Sequence, residues 1–149
     1  MSVQTIGHDK LNQLRHVRFF GNFANMEEHM MRHAAILRPK FELVESTLQR
    51  EIGGLEIGTW TCPKGGYFIS FDSLDGCAKR IVAKAAEAGV RLTEAGATFP
   101  YGVDPRDRNI RIAPSYPTEK ELRKATEVFV LAVKLVSVQK YLWEKEKEQ

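Results

Sequence analysis

The residue whose setting most invites chemistry is Arg111, set between Ile110 and Ile112 in Asp107-Arg108-Asn109-Ile110-Arg111-Ile112-Ala113 and followed by the Pro-x-x-Pro turn Pro114-Ser115-Tyr116-Pro117. An arginine with aliphatic neighbours at alternating strand spacing has its planar fork held by the strand, and that geometry suits a carboxylate. The plainer reading is an edge-strand arginine in a surface salt bridge. His29 and His33 stand four apart on a helical stretch, a spacing that can hold a metal. Met30 occupies the position where the zinc-protease motif needs Glu, and no third ligand is evident, so the flank of a solvated helix is the better account and no metal site is expected. Cys62 and Cys77 lack a paired His or Cys at ligand spacing and read as small buried hydrophobes. Gly65-Gly66 fits a close backbone approach to a ligand and a plain hairpin turn equally well. The sequence holds no Walker loop, dinucleotide fingerprint, nucleophile elbow or paired-carboxylate arrangement.

The background for these residues is ordinary. A chain of 149 residues with 43% hydrophobic content can bury one genuine core, and 28% charged residues describe a soluble globular protein. A net charge of +3 is too mild for a concentrated nucleic-acid-binding stripe. Two cysteines without disulfide-type spacing, no signal peptide and no apolar run of membrane-spanning length predict a cytoplasmic protein with no membrane partner.

The elements that must position Arg111 follow from periodicity. Residues 1–22 differ from the rest: Leu11, Leu14, Val17 and Phe19-Phe20 form a short helix opened by Gly7-His8-Asp9, and the Val17–Asn22 patch needs something to pack on. A long helix spans about Ala24–Ile52, with Met30, Ala34, Leu37, Phe41, Val44 and Leu48 in one apolar stripe. Asn25 is its predicted N-cap, Pro39 should kink it, and Gly53-Gly54 stops it. Strands at Leu55–Cys62 and Tyr67–Asp72 flank Pro63-Lys64-Gly65-Gly66 as a hairpin. Asp75 is the predicted cap of a helix running to about Ala88, and Gly89 ends it. Val90–Thr93 reads as a short strand and 94–108 as a loop leading to the Arg111 strand.

Thr118-Glu119-Lys120-Glu121 is a capping box for a last helix to about Trp143. The segment Val128–Val133 is apolar nearly all round, which predicts a second packing partner, and Glu144–Glu148 reads as a solvated tail. The sum is an α+β fold: a small mixed or antiparallel sheet with a hairpin, covered mainly on one side by a long, a middle and a C-terminal helix.

Three stretches in this order resemble a known family. Pro63-Lys64-Gly65-Gly66-Tyr67-Phe68-Ile69-Ser70 is similar to the Pro-x-Gly-Gly-x-Phe strand of class I/II aminotransferases, pyridoxal-phosphate enzymes of fold type I. Gly89-Val90-Arg91-Leu92-Thr93-Glu94-Ala95-Gly96-Ala97-Thr98-Phe99 resembles their Gly-Val…Pro-Gly-x-x-Phe segment, with Glu94 departing from the usual proline. Asn109-Ile110-Arg111-Ile112-Ala113 falls where the family has its Arg-aliphatic-small strand. With Gly7–His16 included, the likeness is to the aspartate aminotransferase-like branch and covers nearly the whole chain.

The resemblance implies a C-terminal small domain, residues 23–149, preceded by a segment, 1–22, belonging with a missing large domain. That domain would carry the Schiff-base lysine and the pyridoxal 5'-phosphate ligands, so the full-length enzyme is expected to be a homodimer acting on an amino acid and a 2-oxo acid. This chain alone would then hold no catalytic or cofactor-binding residue, bind no cofactor and be inactive. Ser137-Val138-Gln139-Lys140 lies mid-helix and does not match the family's lysine setting. Arg111 carries over as the group that holds the substrate α-carboxylate, and Phe68 as a residue bordering the site. A two-point clamp there would orient the Cα–H bond against the cofactor ring, which a lysine's point charge could not do. Two alternatives stand beside this: a free-standing interaction or oligomerisation domain, and a weak nucleic-acid binder using Arg15, Arg18, Arg106, Arg108 and Arg111.

Overall fold

The structure, a computed structural model, describes residues 9–147. It divides into two compact units, Met1–Arg38 and Pro39–Gln149. In the first, α1 spans Lys10–Phe20 and opens on Asp9, whose side chain accepts from the Asn12 amide at 3.0 Å. Gly21 closes it at φ +69, so the short amphipathic helix stands as predicted. Gly7 and His8, assigned to its opening, lie outside the described residues, as does Glu148. The helix α2, Phe23–Ile52, runs unbroken through Pro39 and crosses from the first unit into the second. Its cap is Asn22, whose Oδ1 accepts from the Asn25 amide at 3.0 Å. The predicted cap, Asn25, instead lies inside the first turn, because chain reversal at Gly21 starts the helix earlier.

In the second unit three antiparallel strands, β1 (Gly58–Trp60), β2 (Ile69–Ser73) and β3 (Asn109–Ile112), are ordered β1-β2-β3. The hairpin is present, although β1 is shorter than predicted: Leu55 is exposed and Glu56 adopts a positive φ that ends strand geometry. The segment Val90–Thr93 pairs with no strand, which corrects the expected fourth strand. It lies instead beside β3 across a cleft of about 150 Å³, lined on the other side by Arg111, Ile112 and Ala113.

The helix α3, Ala78–Glu87, begins two residues later than predicted and Asp75 does not cap it. The loop before β3 does so: the Asp107 carbonyl accepts from the Ala78 amide at 2.8 Å and its carboxylate from the Lys79 amide at 3.2 Å. Asp75 is taken up by Arg106 at 3.0 Å. The capping box of α4, Glu119–Lys147, forms as predicted. Thr118 Oγ1 accepts from the Glu121 amide at 3.3 Å, and Glu121 Oε2 accepts from the Thr118 amide at 2.9 Å. This helix continues through the expected tail, where Lys145 and Lys147 in the last turn complement the negative end of the helix dipole.

Alternation along the strands decides where the core lies. Ile69, Phe71, Ile110 and Ile112 point to one face and are buried with Val44 and Leu48 of α2, Ile81 of α3 and Phe129, Val133 and Val136 of α4. Ser70, Asp72, Asn109 and Arg111 share the opposite face through the register Ser70↔Arg111 and Asp72↔Asn109. Within this unit the helical segments therefore cover one side of the sheet only. Gly58 owes its identity to this packing, since a Cβ there would stand 2.4 Å from Phe71 Cζ. One side of α4 is buried; Leu131, Leu135, Val138 and Leu142, at spacings of four, three and four, remain exposed. That row is the uncovered part of the all-round apolar segment. Lys40 of α2 fixes the Pro-x-x-Pro turn, donating to the carbonyls of Ser115 at 2.8 Å and Pro117 at 2.6 Å.

Candidate functional site

Arg111 projects from β3, an edge strand, on the sheet face away from the helices. Its guanidinium carbon lies 4.5 Å from the centroid of the Phe68 ring, a stacking contact that holds the fork in plane. Phe68 is 46% exposed, so this pair sits at the surface with its base against the sheet. Among the described residues no carboxylate comes within ion-pair distance of Arg111, and its buried Nε has no hydrogen-bond partner. The salt-bridge reading of this arginine is therefore not what the structure holds. The neighbouring arginines differ: Arg108 pairs with Asp72 at 3.0 Å and Arg106 with Asp75 at 3.0 Å. Two of the five arginines considered for nucleic-acid contact are thus engaged internally.

The strand that carries Arg111 is fixed at its start by Asp104. Its carboxylate accepts from the amides of Arg106 at 2.9 Å and of Arg108 and Asn109 at 2.8 Å each. Burial pulls this carboxyl up, but the Asn109, Arg108 and Arg106 amides and the Arg108 charge outweigh it and hold it below the ordinary range. A carboxyl with a lowered folded pKa contributes stability that is complete above its unfolded pKa and is lost as pH falls through the folded value. Asp104→Asn is therefore expected to cost about 1 kcal/mol at pH 7, allowing for solvent screening. It should also flatten the loss of stability below about pH 4. Urea titrations at pH 7 and pH 3 measure both, and an acid limb identical to that of the parent chain would refute the assignment.

Behind Asp104, Asn109 is 8% exposed and makes three side-chain bonds. Its Oδ1 accepts from Thr98 Oγ1 at 2.6 Å, and its Nδ2 donates to Ser70 Oγ at 2.9 Å and Asp72 Oδ1 at 2.7 Å. The loop 94–104 is thereby tied to the Arg111 face. Its tip carries Tyr101, fully exposed and at φ +59.

The other singled-out residues are placed elsewhere. The His29 ring packs edge-on against Phe19 and Phe20, each at 5.4 Å, and lies 4.5 Å from His33. Among the described residues no group of three or more His, Cys, Asp or Glu is arranged to hold a metal. Cys77 is buried, and that burial pushes its thiol up and away from reactivity. Cys62 is exposed, a correction to its reading as a buried hydrophobe: β1 ends at Trp60, before the alternation would have turned position 62 inward. Among the described residues no helix is long and apolar enough to cross a membrane.

An unpaired arginine stacked on an aromatic ring, on the polar face of a small sheet, is an arrangement that many folds could present. Comparison with known proteins decides among them. A family model described as aspartate amino-transferase matches residues 1–145. The chain belongs to the aspartate aminotransferase family. It is 46% identical over 142 residues to a Mycolicibacterium smegmatis protein provisionally named an aminotransferase, covering 95% of this chain and 33% of that protein. It is 40% identical over 139 residues to an aspartate aminotransferase of Corynebacterium glutamicum, covering 93% of this chain and 32% of that one. A crystal structure of an aspartate transaminase from Corynebacterium glutamicum superposes with a TM-score of 0.85 at 40% identity, over 94% of this chain and 33% of that one.

The chain thus spans about a third of the length of the curated relatives it matches. It corresponds to a small domain of an aminotransferase, with the α+β architecture read from the sequence. The structure stacks the two residues expected from the sequence, Arg111 and Phe68, and brings to the same strand Asn109, Thr98 and Asp104, which the sequence reading did not single out. The available signal was local: Asp104 precedes three amides of a turn, and Asn109 alternates with Arg111 on one strand face.

Proposed function

We propose that this chain is the carboxylate-binding part of a pyridoxal-phosphate-dependent aminotransferase, residues 23–149 forming the small domain and 1–22 a segment that belongs with the large one. The observation that carries this is the unpaired, ring-stacked guanidinium of Arg111. Arg111 binds the α-carboxylate of an amino acid or 2-oxo acid through two parallel N–H donors, and Phe68 keeps the fork in the plane that this requires. The substrate class is aspartate or a related amino acid, and the full-length enzyme is a cytoplasmic homodimer. Movement of the small domain on substrate binding would carry Arg111 with it and shed water from the carboxylate.

The cofactor belongs to the remainder of the enzyme, where it supplies the electron sink for the reaction. Residues of this chain do not fit a cofactor seat. Lys140 donates to the Asp75 carbonyl at 2.6 Å and lies 3.5 Å from Glu144, while Ser137 is buried in the helical core. Pyridoxal phosphate added to the 149-residue chain is expected to give no saturable change in cofactor absorbance. The full-length protein should give a stoichiometric one and transfer amino groups. A specific, saturable change with the chain alone would overturn the division of labour proposed here.

A further inference from the structure

We propose that Asn109 is the positioning residue of this site: it occupies the hydrogen-bond acceptors beside Arg111 and so keeps the arginine fork open for substrate. The inference rests on the clamp reading of Arg111 and deepens it.

The argument starts from what flanks the guanidinium. On the polar face of the sheet, Ser70 stands directly opposite Arg111 in register, and Asp72 stands diagonally across from it. Diagonal neighbours on an antiparallel pair come within reach of a long side chain. A carboxylate and a hydroxyl so placed would ordinarily capture an arginine, and a captured arginine is lost to a ligand. Here both acceptors are engaged by one amide, since Asn109 Nδ2 donates to Ser70 Oγ at 2.9 Å and to Asp72 Oδ1 at 2.7 Å. Arg108 Nη2 donates to the second carboxylate oxygen of Asp72 at 3.0 Å.

The orientation of the Asn109 amide is fixed by its partners. An ionised carboxylate can only accept, so the group facing Asp72 is the NH2. The Oδ1 on the other side then receives the Thr98 hydroxyl at 2.6 Å. Every polar atom of this buried side chain is therefore used, and the amide cannot turn without losing bonds. Arg111 Nε is buried with no acceptor, as is Arg108 Nε, but Arg108 pairs with Asp72 at 3.0 Å whereas, among the described residues, Arg111 has no carboxylate within ion-pair distance. A satisfied asparagine beside an unsatisfied arginine is the pattern of a site that holds its own acceptors away from its cation.

Thr98 adds a second consequence. It lies in the 94–104 loop, so the same amide sets the height of that loop over the Arg111 face. Gly96 lies close beneath the loop backbone, where a Cβ would stand 2.5 Å from the Gly102 carbonyl oxygen, so the loop cannot readily slide.

The test is made in the full-length enzyme with four variants: Asn109→Ala, Arg111→Lys, the pair together, and Asn109→Ala with Asp72→Asn. Asn109→Ala is expected to raise KM for the amino-acid substrate about tenfold with kcat changed less than about twofold, because a freed Asp72 now competes for the fork. In the Arg111→Lys background the same change should have little further effect, since the two residues act as one unit. Removing the competing charge with Asp72→Asn should restore most of the lost affinity.

An unchanged KM in Asn109→Ala, or a full tenfold loss retained in the Arg111→Lys background, would overturn the positioning role while leaving the clamp intact. Unchanged kinetics in Arg111→Lys itself would instead remove the clamp. Should Asn109→Ala fail to fold, Thr98→Val keeps side-chain volume and frees the amide from one side. It should give about a threefold rise in KM, and an unaltered KM in that folded variant would likewise refute the proposal.

Discussion

Replacing Arg111 with lysine in the full-length enzyme is expected to lower kcat/KM for the amino-acid substrate by about 100-fold, most of it through KM. Two effects combine. A bidentate pair becomes a single contact, and each charge-assisted hydrogen bond is worth about 1.5–3 kcal/mol. The stacking on Phe68 is lost as well, because an ammonium is not planar and the longer reach is replaced by a flexible stem. A 100-fold change corresponds to about 2.7 kcal/mol, within that range. The smaller fall in kcat reflects a substrate held at one point and free to rotate about it. Steady-state kinetics with the natural carboxylate and with a substrate amide separate the two contributions. Arg111→Lys should narrow the preference for the carboxylate without abolishing it, because the charge remains while the second hydrogen bond is lost, and a lysine variant that still discriminates as the parent does would exclude the clamp.

The largest effect on stability is expected at Phe71. Its ring is fully buried at the centre of the sheet's apolar face, 5.1 Å from Phe129 in an edge contact and 6.4 Å from Trp60. Phe71→Ala removes that ring from between a strand and α4, where neither side can collapse freely, and should cost about 3–5 kcal/mol. A loss of that size is a large part of the stability of a domain this small.

The midpoint of urea unfolding of the Pro39–Gln149 unit should fall accordingly, and a change below about 1 kcal/mol would mean that the core is centred elsewhere. Gly58 supplies an internal check. Its missing Cβ makes room for the same ring, so Gly58→Ala should destabilise the parent by about 1–3 kcal/mol through overpacking. In a Phe71→Leu background that penalty should largely disappear, because the colliding ring atoms are gone.

Period and punctuation made most of this fold legible. The stripe Val44–Leu48, the alternation of Ile110 and Ile112 and the capping box at Thr118 each state a local preference that tertiary packing then agrees with. Failures came where a distant segment overrode a local signal. Asp75 reads as a helix cap, yet Asp107, far along the chain, caps α3 while Asp75 is drawn to Arg106. Val90–Thr93 carries strand residues but joins no strand, and it lies across a cleft from Arg111, Ile112 and Ala113 of the β3 edge. Such choices depend on pairings between loops, which no window of sequence contains. Asn109 offered a partial local signal, its alternation with Arg111 on one strand face, but its three partners come from two other segments. The strand setting of Arg111 was legible because its neighbours and its family motif are contiguous.

The sheet described above has one apolar face and one polar face, and this divides the mutational freedom of the domain. Substitutions at Ser70, Asp72, Thr98 or Asn109 alter what the Arg111 side presents while leaving Ile69, Phe71, Ile110 and Ile112 in register. Changes on the polar face must keep the Asn109 network of Ser70, Asp72 and Thr98 satisfied, but they leave the apolar core untouched. Changes at the alternate positions would mostly return unfolded chains. Selectivity and robustness are inherited here on opposite sides of a sheet one residue thick.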